Sequence, residues 1–173
     1  MKKTATVYWL LPAKPERELF RKFIRILRKE FGAPNFEPHL TLLVTAKDRP
    51  PPRRVLRQIR SRLIRLSARG IGYSPKFTKT LFVRFKSSLA MQKLVADLAH
   101  VARSAAKVPS DPHLSLLYKK MPCLAKKELA SVIKLPFRTA AFDSVVAVRL
   151  TMPVRSAADV EKWRIVAKKW LHR

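Results

Sequence analysis

PHLTLL at residues 38–43 and PHLSLL at residues 112–117 are two copies of one six-residue motif that differ at a single position. This repeated motif is the strongest indication of the fold in the sequence. Each copy places a histidine directly after a proline and a hydroxyl residue two positions after that histidine. Side chains alternate between the two faces of a β-strand, so the histidine and the hydroxyl share one face while the leucines point to the other. Each copy therefore predicts a strand with a buried leucine face and an imidazole beside a hydroxyl on the opposite face.

The side chains that could carry chemistry are His39 with Thr41 in the first copy and His113 with Ser115 in the second. If the two strands lie side by side, two imidazoles and two hydroxyls converge on one cleft. Imidazoles titrate near neutrality, so one can accept a proton while the other donates one. Hydroxyls can hydrogen-bond phosphate oxygens. The four side chains thus predict a site that cleaves a phosphodiester by in-line attack of water, without a metal.

The repetition is what favours this interpretation, since a single histidine in a strand is more often structural than catalytic. The remaining histidines, His100 and His172, are expected to have ordinary surface or packing roles. A zinc site built on His39 and His113 is an alternative, but the sequence supplies no clear third acidic or cysteine ligand near them.

The charge of the chain predicts an affinity for polyanions. The chain has 38 Lys and Arg against 11 Asp and Glu, a formal net charge of +27, and no acidic residue from 49 to 96. Such a surface attracts RNA, DNA or anionic lipid at low salt. The alternative is that the charge sets only solubility and non-specific adhesion.

Cysteine content and hydropathy predict a cytoplasmic protein without a transmembrane segment. Cys123 is the only cysteine in the sequence, which excludes an intramolecular disulfide and a cysteine-based zinc site. The start of the chain superficially resembles a signal peptide, but its apolar stretch 4–11 is short and contains Tyr8 and Trp9. We expect that stretch to be the first strand. We also expect a monomer with no obligate protein partner.

Hydrophobic periodicity predicts a mixed order of strands and helices. Strands are predicted at residues 5–11, 39–45, 71–78, 80–86, 113–118, 142–152 and 163–170. Helices are predicted at residues 15–31, 53–68, 89–106 and 125–133, with Gly32 and Gly70 ending the first two. Residues 159–172 also carry a partial helical pattern, which leaves the last strand open. Each copy of the repeated motif begins a strand that follows a long helix, as an internal duplication would produce.

The second predicted helix combines an apolar stripe with a face that is almost entirely arginine. One interpretation is that Arg53, Arg57 and Arg60 extend the cleft and hold the phosphates of an RNA chain. The alternatives are an ordinary solvated face or a basic amphipathic helix that lies on an anionic membrane.

The two H-x-[ST] motifs in apolar strands resemble the signature of the two-histidine (2H) phosphoesterase superfamily. Further stretches are similar to its cyclic phosphodiesterase branch: VYWLLP at 7–12, FGAPNFEPHLTLL at 31–43, DPHLSLLY at 111–118, FDSVVAVRL at 142–150 and EKWRIVA at 161–167. The similarity is spread over nearly the whole chain, and the pair of motifs is its most specific part.

The resemblance implies an α+β fold made of one bilobal domain, residues 1–173. In that fold two antiparallel sheets, related by a pseudo-two-fold duplication, face a central cleft with helices outside. It also implies hydrolysis of a 2′,3′-cyclic phosphate to a phosphomonoester with neither metal nor cofactor. The substrate would be a cyclic nucleotide, an ADP-ribose cyclic phosphate or an RNA end, and the unusual basicity of this chain leaves that choice open.

The resemblance assigns roles to five residues. His39 and His113 would be catalytic, Thr41 and Ser115 would bind the phosphate, and Tyr118 would form part of the cleft wall. We expect His113 to be the general base on water and His39 the general acid on the leaving ribose oxygen. The competing hypothesis, from another functional class, is a basic RNA-binding module that recognises cyclic or phosphate ends without turnover.

Overall fold

The computed structural model describes residues 2–46, 50–105 and 107–172, and within these ranges the chain forms seven strands and five helices. The strands are β1 (Lys3–Pro12), β2 (Leu40–Thr45), β3 (Ile64–Tyr73), β4 (Leu81–Phe85), β5 (His113–Leu117), β6 (Thr139–Met152) and β7 (Arg164–Trp170). The helices are α1 (Glu16–Phe31), α2 (Pro52–Gln58), α3 (Leu89–Val101), α4 (Cys123–Val132) and α5 (Ala157–Glu161). The predicted α+β class is confirmed.

All seven strands belong to one antiparallel sheet, in the order β1-β2-β5-β4-β3-β6-β7. Because β1 also pairs with β6, six of the strands close into a ring and β7 lies outside β6. The two expected sheets are thus the halves of a continuous one, with β1, β2, β6 and β7 in one half and β3, β4 and β5 in the other. The halves join where β3 pairs with β6 and where β2 pairs with β5.

The junction between β2 and β5 brings the two copies of the repeated motif together. In the described part of the chain it consists of one residue pair, Leu40 opposite Leu114. These two leucines are fully buried, as are Leu42 and Leu116 two positions further along. The leucine faces therefore point into the core, which confirms the predicted alternation and directs the histidine face of both strands to the other side of the sheet.

The largest hydrophobic cluster lies between the helices and one face of the sheet, and it contains Leu10, Leu40, Leu56 and Phe142. Helix α1 buries three positions of its predicted apolar stripe. A smaller cluster on the opposite face is formed by Val7, Trp9, Leu11, Val146, Val148 and Leu150 and is covered by Val154 and Trp163. Burial of apolar surface at about 25 cal/mol per Å² makes both clusters major contributors to stability.

Gly32 ends α1 as predicted. Its φ of 59° lies in the left-handed region, and its N–H donates to the Arg28 carbonyl at the end of the helix. A residue with a Cβ is strained in that conformation, so glycine is the favoured residue there.

The prediction of a long second helix over 53–68 is wrong. Helix α2 ends at Gln58, and strand β3 begins at Ile64. Ile64 and Leu66 are buried whereas Arg65 between them is exposed, which is the two-residue period of a strand. The same apolar positions also fit a helical stripe, and the arginines do not distinguish the two periods.

Gly70 does not end a helix, since it lies within β3. Its φ is +99°, at the point where the register with β4 shifts between Ala68 and Ile71. A bulge in a strand often needs a backbone conformation that favours glycine, which explains the residue without a helix.

The other element boundaries differ in smaller ways. The strand predicted at residues 71–78 corresponds to the last part of β3, which begins earlier, at Ile64, and ends at Tyr73. A 3₁₀ turn follows at Phe77–Lys79. Helix α3 ends at Val101, and its predicted end at Ala106 lies outside the described residues. The helical pattern near the end of the chain is limited to α5, after which β7 forms as predicted. Among the described residues, no helix is long and apolar enough to span a membrane.

Candidate functional site

A cavity of about 490 Å³ opens on the histidine face of the motif strands. All five residues singled out in the sequence line it: His39, Thr41, His113, Ser115 and Tyr118. The rest of the wall is formed by Val7, Trp9, Val44, Lys76, Thr78, Leu150, Met152, Pro153, Val154 and Trp163. The structure therefore brings both copies of the motif to one cleft, as the strand pairing requires.

The ring of His39 is held from several sides. It stacks on Trp9 with ring centroids 3.7 Å apart and planes 13° from parallel, and Phe36 and Trp163 contact it edge-on. Its Nδ1 lies 2.6 Å from the Glu37 carbonyl oxygen. A carbonyl only accepts hydrogen bonds, so Nδ1–H donates and Nε2 is left as the nitrogen available for proton transfer.

Burial lowers the pKa of His39 to about 4. The residue is only 7% exposed, and removal from water disfavours the charged imidazolium. The hydrogen bond to Glu37 acts in the opposite direction, and positive charge on His113 lowers the pKa further. At neutral pH the free site therefore presents a neutral imidazole at this position.

His113 is held in the same way but is less enclosed. Its Nδ1 lies 2.9 Å from the Asp111 carbonyl oxygen, again two residues earlier in the chain, and Phe82 contacts its ring edge-on. Burial lowers its pKa first, and the positive charges of Lys79 and Lys76 lower it further. The hydrogen bond to the Asp111 carbonyl and the negative charge of the Asp111 carboxylate raise the pKa of His113 and partly offset this lowering. The repeated proline–histidine geometry thus fixes the same tautomer twice.

The two motif hydroxyls differ in their surroundings. Ser115 Oγ donates to the Thr78 carbonyl oxygen at 2.8 Å. For the Thr41 hydroxyl, no hydrogen-bond partner is found among the described residues. The Thr41 side can therefore accommodate a ligand oxygen without breaking a bond within the protein.

Tyr118 stacks on Phe36 with centroids 3.9 Å apart, and burial raises the pKa of its phenol, which stays neutral.

Positive charge lies at the His113 side of the cleft. Lys76 lines the cavity, and Lys79 is ion-paired with Asp111 at 2.6 Å. The charges of both lysines act on His113. An anionic ligand in the cleft is therefore favoured by charge as well as by hydrogen bonding.

Ten of the lining residues were not predicted from the sequence, among them Trp9, Trp163 and Lys76. Trp9 lies on the same face of β1 as Val7, so strand alternation could have pointed to it once β1 and β2 were known to pair. Trp163 and Lys76 reach the cleft from segments between strands. Their contribution depends on tertiary structure and has no signal in the local pattern.

The remaining histidines lie outside the cleft. His100 is exposed on α3, and His172 is exposed at the end of the chain. Across residues 2–46, 50–105 and 107–172, no group of three or more His, Cys, Asp or Glu side chains is placed to hold a metal ion.

The arginines of α2 do not extend the cleft. Arg53 and Arg57 are exposed and line a separate cavity with Leu56 and with Val166, Ala167, Lys168 and Lys169 of β7. Among the residues that the structure describes, that cavity shares no lining residue with the cleft, and α2 packs its apolar side on the core face of the sheet. Arg60 is exposed in the segment after the helix and lines neither cavity.

Comparison with known proteins agrees with this architecture. The family model described as cyclic phosphodiesterase-like protein matches residues 4–171. The structure of E. coli LigT complexed with ATP has a TM-score of 0.57 and 15% identity, with 100% of each chain covered. TT0787 of Thermus thermophilus has a TM-score of 0.58 and 18% identity, covering 96% of this chain and 97% of that one. No curated protein matches significantly by sequence. The structural likenesses show a shared fold.

Proposed function

Because this chain belongs to the cyclic phosphodiesterase-like family and is a phosphodiesterase, we propose that it hydrolyses 2′,3′-cyclic phosphates to phosphomonoesters and needs no metal. The observation that carries the proposal is the pair of imidazoles, each held through Nδ1 by a carbonyl two residues earlier, that line one cavity. One nitrogen of each ring is thereby free for proton transfer, as a base and an acid acting together require.

The proposed reaction uses the two rings in opposite roles. His113 accepts a proton from a water molecule as the water oxygen attacks phosphorus. The bond from phosphorus to one ribose oxygen breaks, and His39 donates its proton to that oxygen. The product is a phosphomonoester with a free neighbouring hydroxyl, and exchange of protons with solvent restores the two rings.

The low pKa of His39 makes its acid role depend on the substrate. At neutral pH the ring is uncharged in the free site, because burial disfavours the imidazolium. An anionic phosphate in the cleft favours that imidazolium and raises the pKa of the ring. The proposed acid role of His39 therefore requires the bound phosphate to raise this pKa.

The other cleft residues would hold the phosphate and the nucleoside. Thr41 and Ser115 would donate to the non-bridging oxygens, with Lys76 adding positive charge at the cavity wall. A cavity of about 490 Å³ is within the range that holds small ligands. E. coli LigT has been crystallised with 3′-AMP, a phosphomonoester of the kind proposed here as product, which makes 2′,3′-cyclic AMP the first substrate to assay.

The first prediction is that His39→Ala and His113→Ala each lower turnover of 2′,3′-cyclic AMP by roughly a hundredfold or more, since each removes a positioned acid or base. The double variant should be little worse than the worse single one, because the two rings act as a unit. EDTA should leave wild-type turnover unchanged. His100→Ala, on the exposed face of α3, is the matched control. Near-normal turnover of either single variant would contradict the paired mechanism.

A second substrate shows which histidine is the general acid and which is the general base. A phosphodiester with a p-nitrophenolate leaving group does not need a general acid, because that leaving group departs without a proton. We expect His39→Ala to recover much of its loss on this substrate and His113→Ala to stay slow. The opposite result would exchange the acid and base assignments without affecting the proposed reaction.

A further inference from the structure

Strand β7 presents part of its surface on the same face of the sheet as the cleft. Residues paired across adjacent strands share a face. Lys168 pairs with Val146, Val146 with Trp9, and Trp9 with the cleft residue Thr41. Lys168 therefore lies in the same cross-strand row as the site, about 10 Å from β1 at the usual strand spacing.

Two other side chains of β7 share this face. Ile165 pairs with Val148, which pairs with the cleft residue Val7. Trp170 lies two positions beyond Lys168, where strand alternation returns to the same face. We call Ile165, Lys168 and Trp170 the β7 track, which extends over about 17 Å of strand.

The β7 track combines exposed apolar surface with positive charge. Ile165 is 55% exposed and Trp170 is 58% exposed, although both lie on a strand beside the site. Lys168 Nζ lies 3.6 Å from the centroid of the Trp170 ring. This cation–π contact holds the indole on one side, and its exposed remainder is available to a planar ligand.

The far end of the β7 track opens on a second cavity, of about 900 Å³. Trp170 lines it, together with three basic residues and two acidic ones: Lys14, Arg17, Arg65, Glu16 and Asp143. A track that begins beside Trp163 of the cleft thus leads to a large cavity whose lining carries more positive than negative charge.

From this arrangement we propose that the β7 track binds the single-stranded RNA that precedes a 2′,3′-cyclic phosphate end, with a base stacked on Trp170 and backbone phosphate beside Lys168. Aromatic platforms next to basic side chains are the usual means of holding single strands without sequence preference. The net charge of +27 favours the same ligand. The inference rests on the proposed function and identifies RNA ends as the preferred substrate class, since a mononucleotide in the cleft has nothing to place on the track.

The catalytic test compares a short single-stranded RNA ending in a 2′,3′-cyclic phosphate with 2′,3′-cyclic AMP. We expect Trp170→Ala to lower kcat/KM for the RNA by about tenfold, the scale of losing one stacked base, and to leave the mononucleotide within about twofold. Lys168→Gln should act in the same direction. Tyr73→Ala, another exposed aromatic on a strand, and Arg54→Gln, with the same loss of charge on α2, are the controls. An unchanged rate on the RNA, or equal losses on both substrates, would overturn the proposal.

A binding measurement separates this proposal from the proposed function. Fluorescence anisotropy with the same RNA ending in a 3′-hydroxyl needs no turnover. If the wild type hydrolyses neither cyclic phosphate but Trp170→Ala still weakens RNA binding more than Tyr73→Ala does, the proposed function fails and the β7 track stands. If Lys168→Gln and Arg54→Gln weaken binding equally, binding follows total charge, and the track is excluded.

Discussion

At the scale of single residues, two nearly identical motifs give two different imidazoles. His39 is enclosed by three aromatic rings, whereas His113 stands nearer the open side of the cleft beside charged groups. Burial dominates the pKa of both, and it acts most strongly on His39. The sequence pattern predicts the pairing of the rings but not this asymmetry, because the enclosing residues come from other parts of the chain.

The asymmetry predicts how stability depends on pH. In the unfolded chain His39 titrates near 6.5, whereas in the folded protein it stays neutral down to about 4. Between these values the unfolded state binds more protons, so the free energy of unfolding should fall as pH drops from 6.5 to 4 and should not depend on this group above 6.5. The loss is on the order of 3 kcal/mol.

Urea unfolding at several pH values between 4 and 7 measures this effect. We expect His39→Gln to reduce the slope of unfolding free energy against pH, and the exposed His100→Gln to leave it unchanged. If the slope is the same in His39→Gln as in the wild type, the ring is not protonated at a lower pH in the folded state.

The hydroxyls allow another residue-scale prediction. Thr41→Ala and Ser115→Ala should both slow turnover of 2′,3′-cyclic AMP, since each removes a donor to transition-state charge. The loss for Thr41→Ala should be the larger, because Ser115 already donates to the Thr78 carbonyl and has to exchange one partner for another. Inhibition by inorganic phosphate, measured on both variants, should follow the same order. Equal binding and turnover in wild type and Thr41→Ala would show that this hydroxyl does not contact phosphate.

At the scale of elements, the segment around α5 positions part of the cleft wall. Asp159 is buried and accepts hydrogen bonds from Lys2 Nζ, the Arg155 N–H and the Ser156 hydroxyl. The Lys2 ammonium, followed by the Arg155 N–H, holds the pKa of this carboxyl far below its ordinary value. The carboxylate therefore ties the start of the chain to the segment that carries Trp163.

Asp159→Asn should loosen this segment, because the amide keeps the shape of the side chain but loses the ion pair. We expect KM for 2′,3′-cyclic AMP to rise several-fold while kcat changes less, since Trp163 lines the cavity without taking part in proton transfer. Glu161→Gln, exposed on the same helix, is the control. An unchanged KM and melting temperature would mean that apolar packing alone holds the segment.

The elements that the sequence predicted well are those in which local pattern and tertiary role agree. Helix α1 has an apolar stripe and a left-handed glycine at its end, and both motif strands alternate as expected. The prediction of a helix over residues 59–68 failed because the few apolar positions there fit a helical and a strand period equally well. Which period applied was decided by pairing of β3 with β4 and β6, partners that are distant in sequence.

At the scale of the whole molecule, the strong positive charge is distributed over surfaces with different neighbours. The arginines of α2 lie on the helix-covered side of the sheet, and Lys76 lines the cleft. Lys168 pairs with β6 in the row of the cleft residue Thr41 and also lines the cavity of Arg53 and Arg57. The composition alone predicts attraction to polyanions and gives no location for it. Only the order of strands in the ring shows which part of the charge can meet a substrate.

Within the part of the chain that the structure describes, the ring of strands is closed beside the site by the single pair Leu40–Leu114, and each motif strand supplies one histidine and one hydroxyl. A phosphate bound by both strands would therefore act as a cross-link over the thinnest junction of the ring. Ligand affinity and the opening of this junction would then be thermodynamically coupled, so that the same contacts that select the substrate also stiffen the protein. Amide hydrogen exchange in β2 and β5 should slow together when inorganic phosphate saturates the cleft, and exchange in α4, away from the junction, should not. Protection of one motif strand without the other would show that the anion is held by one half of the ring alone.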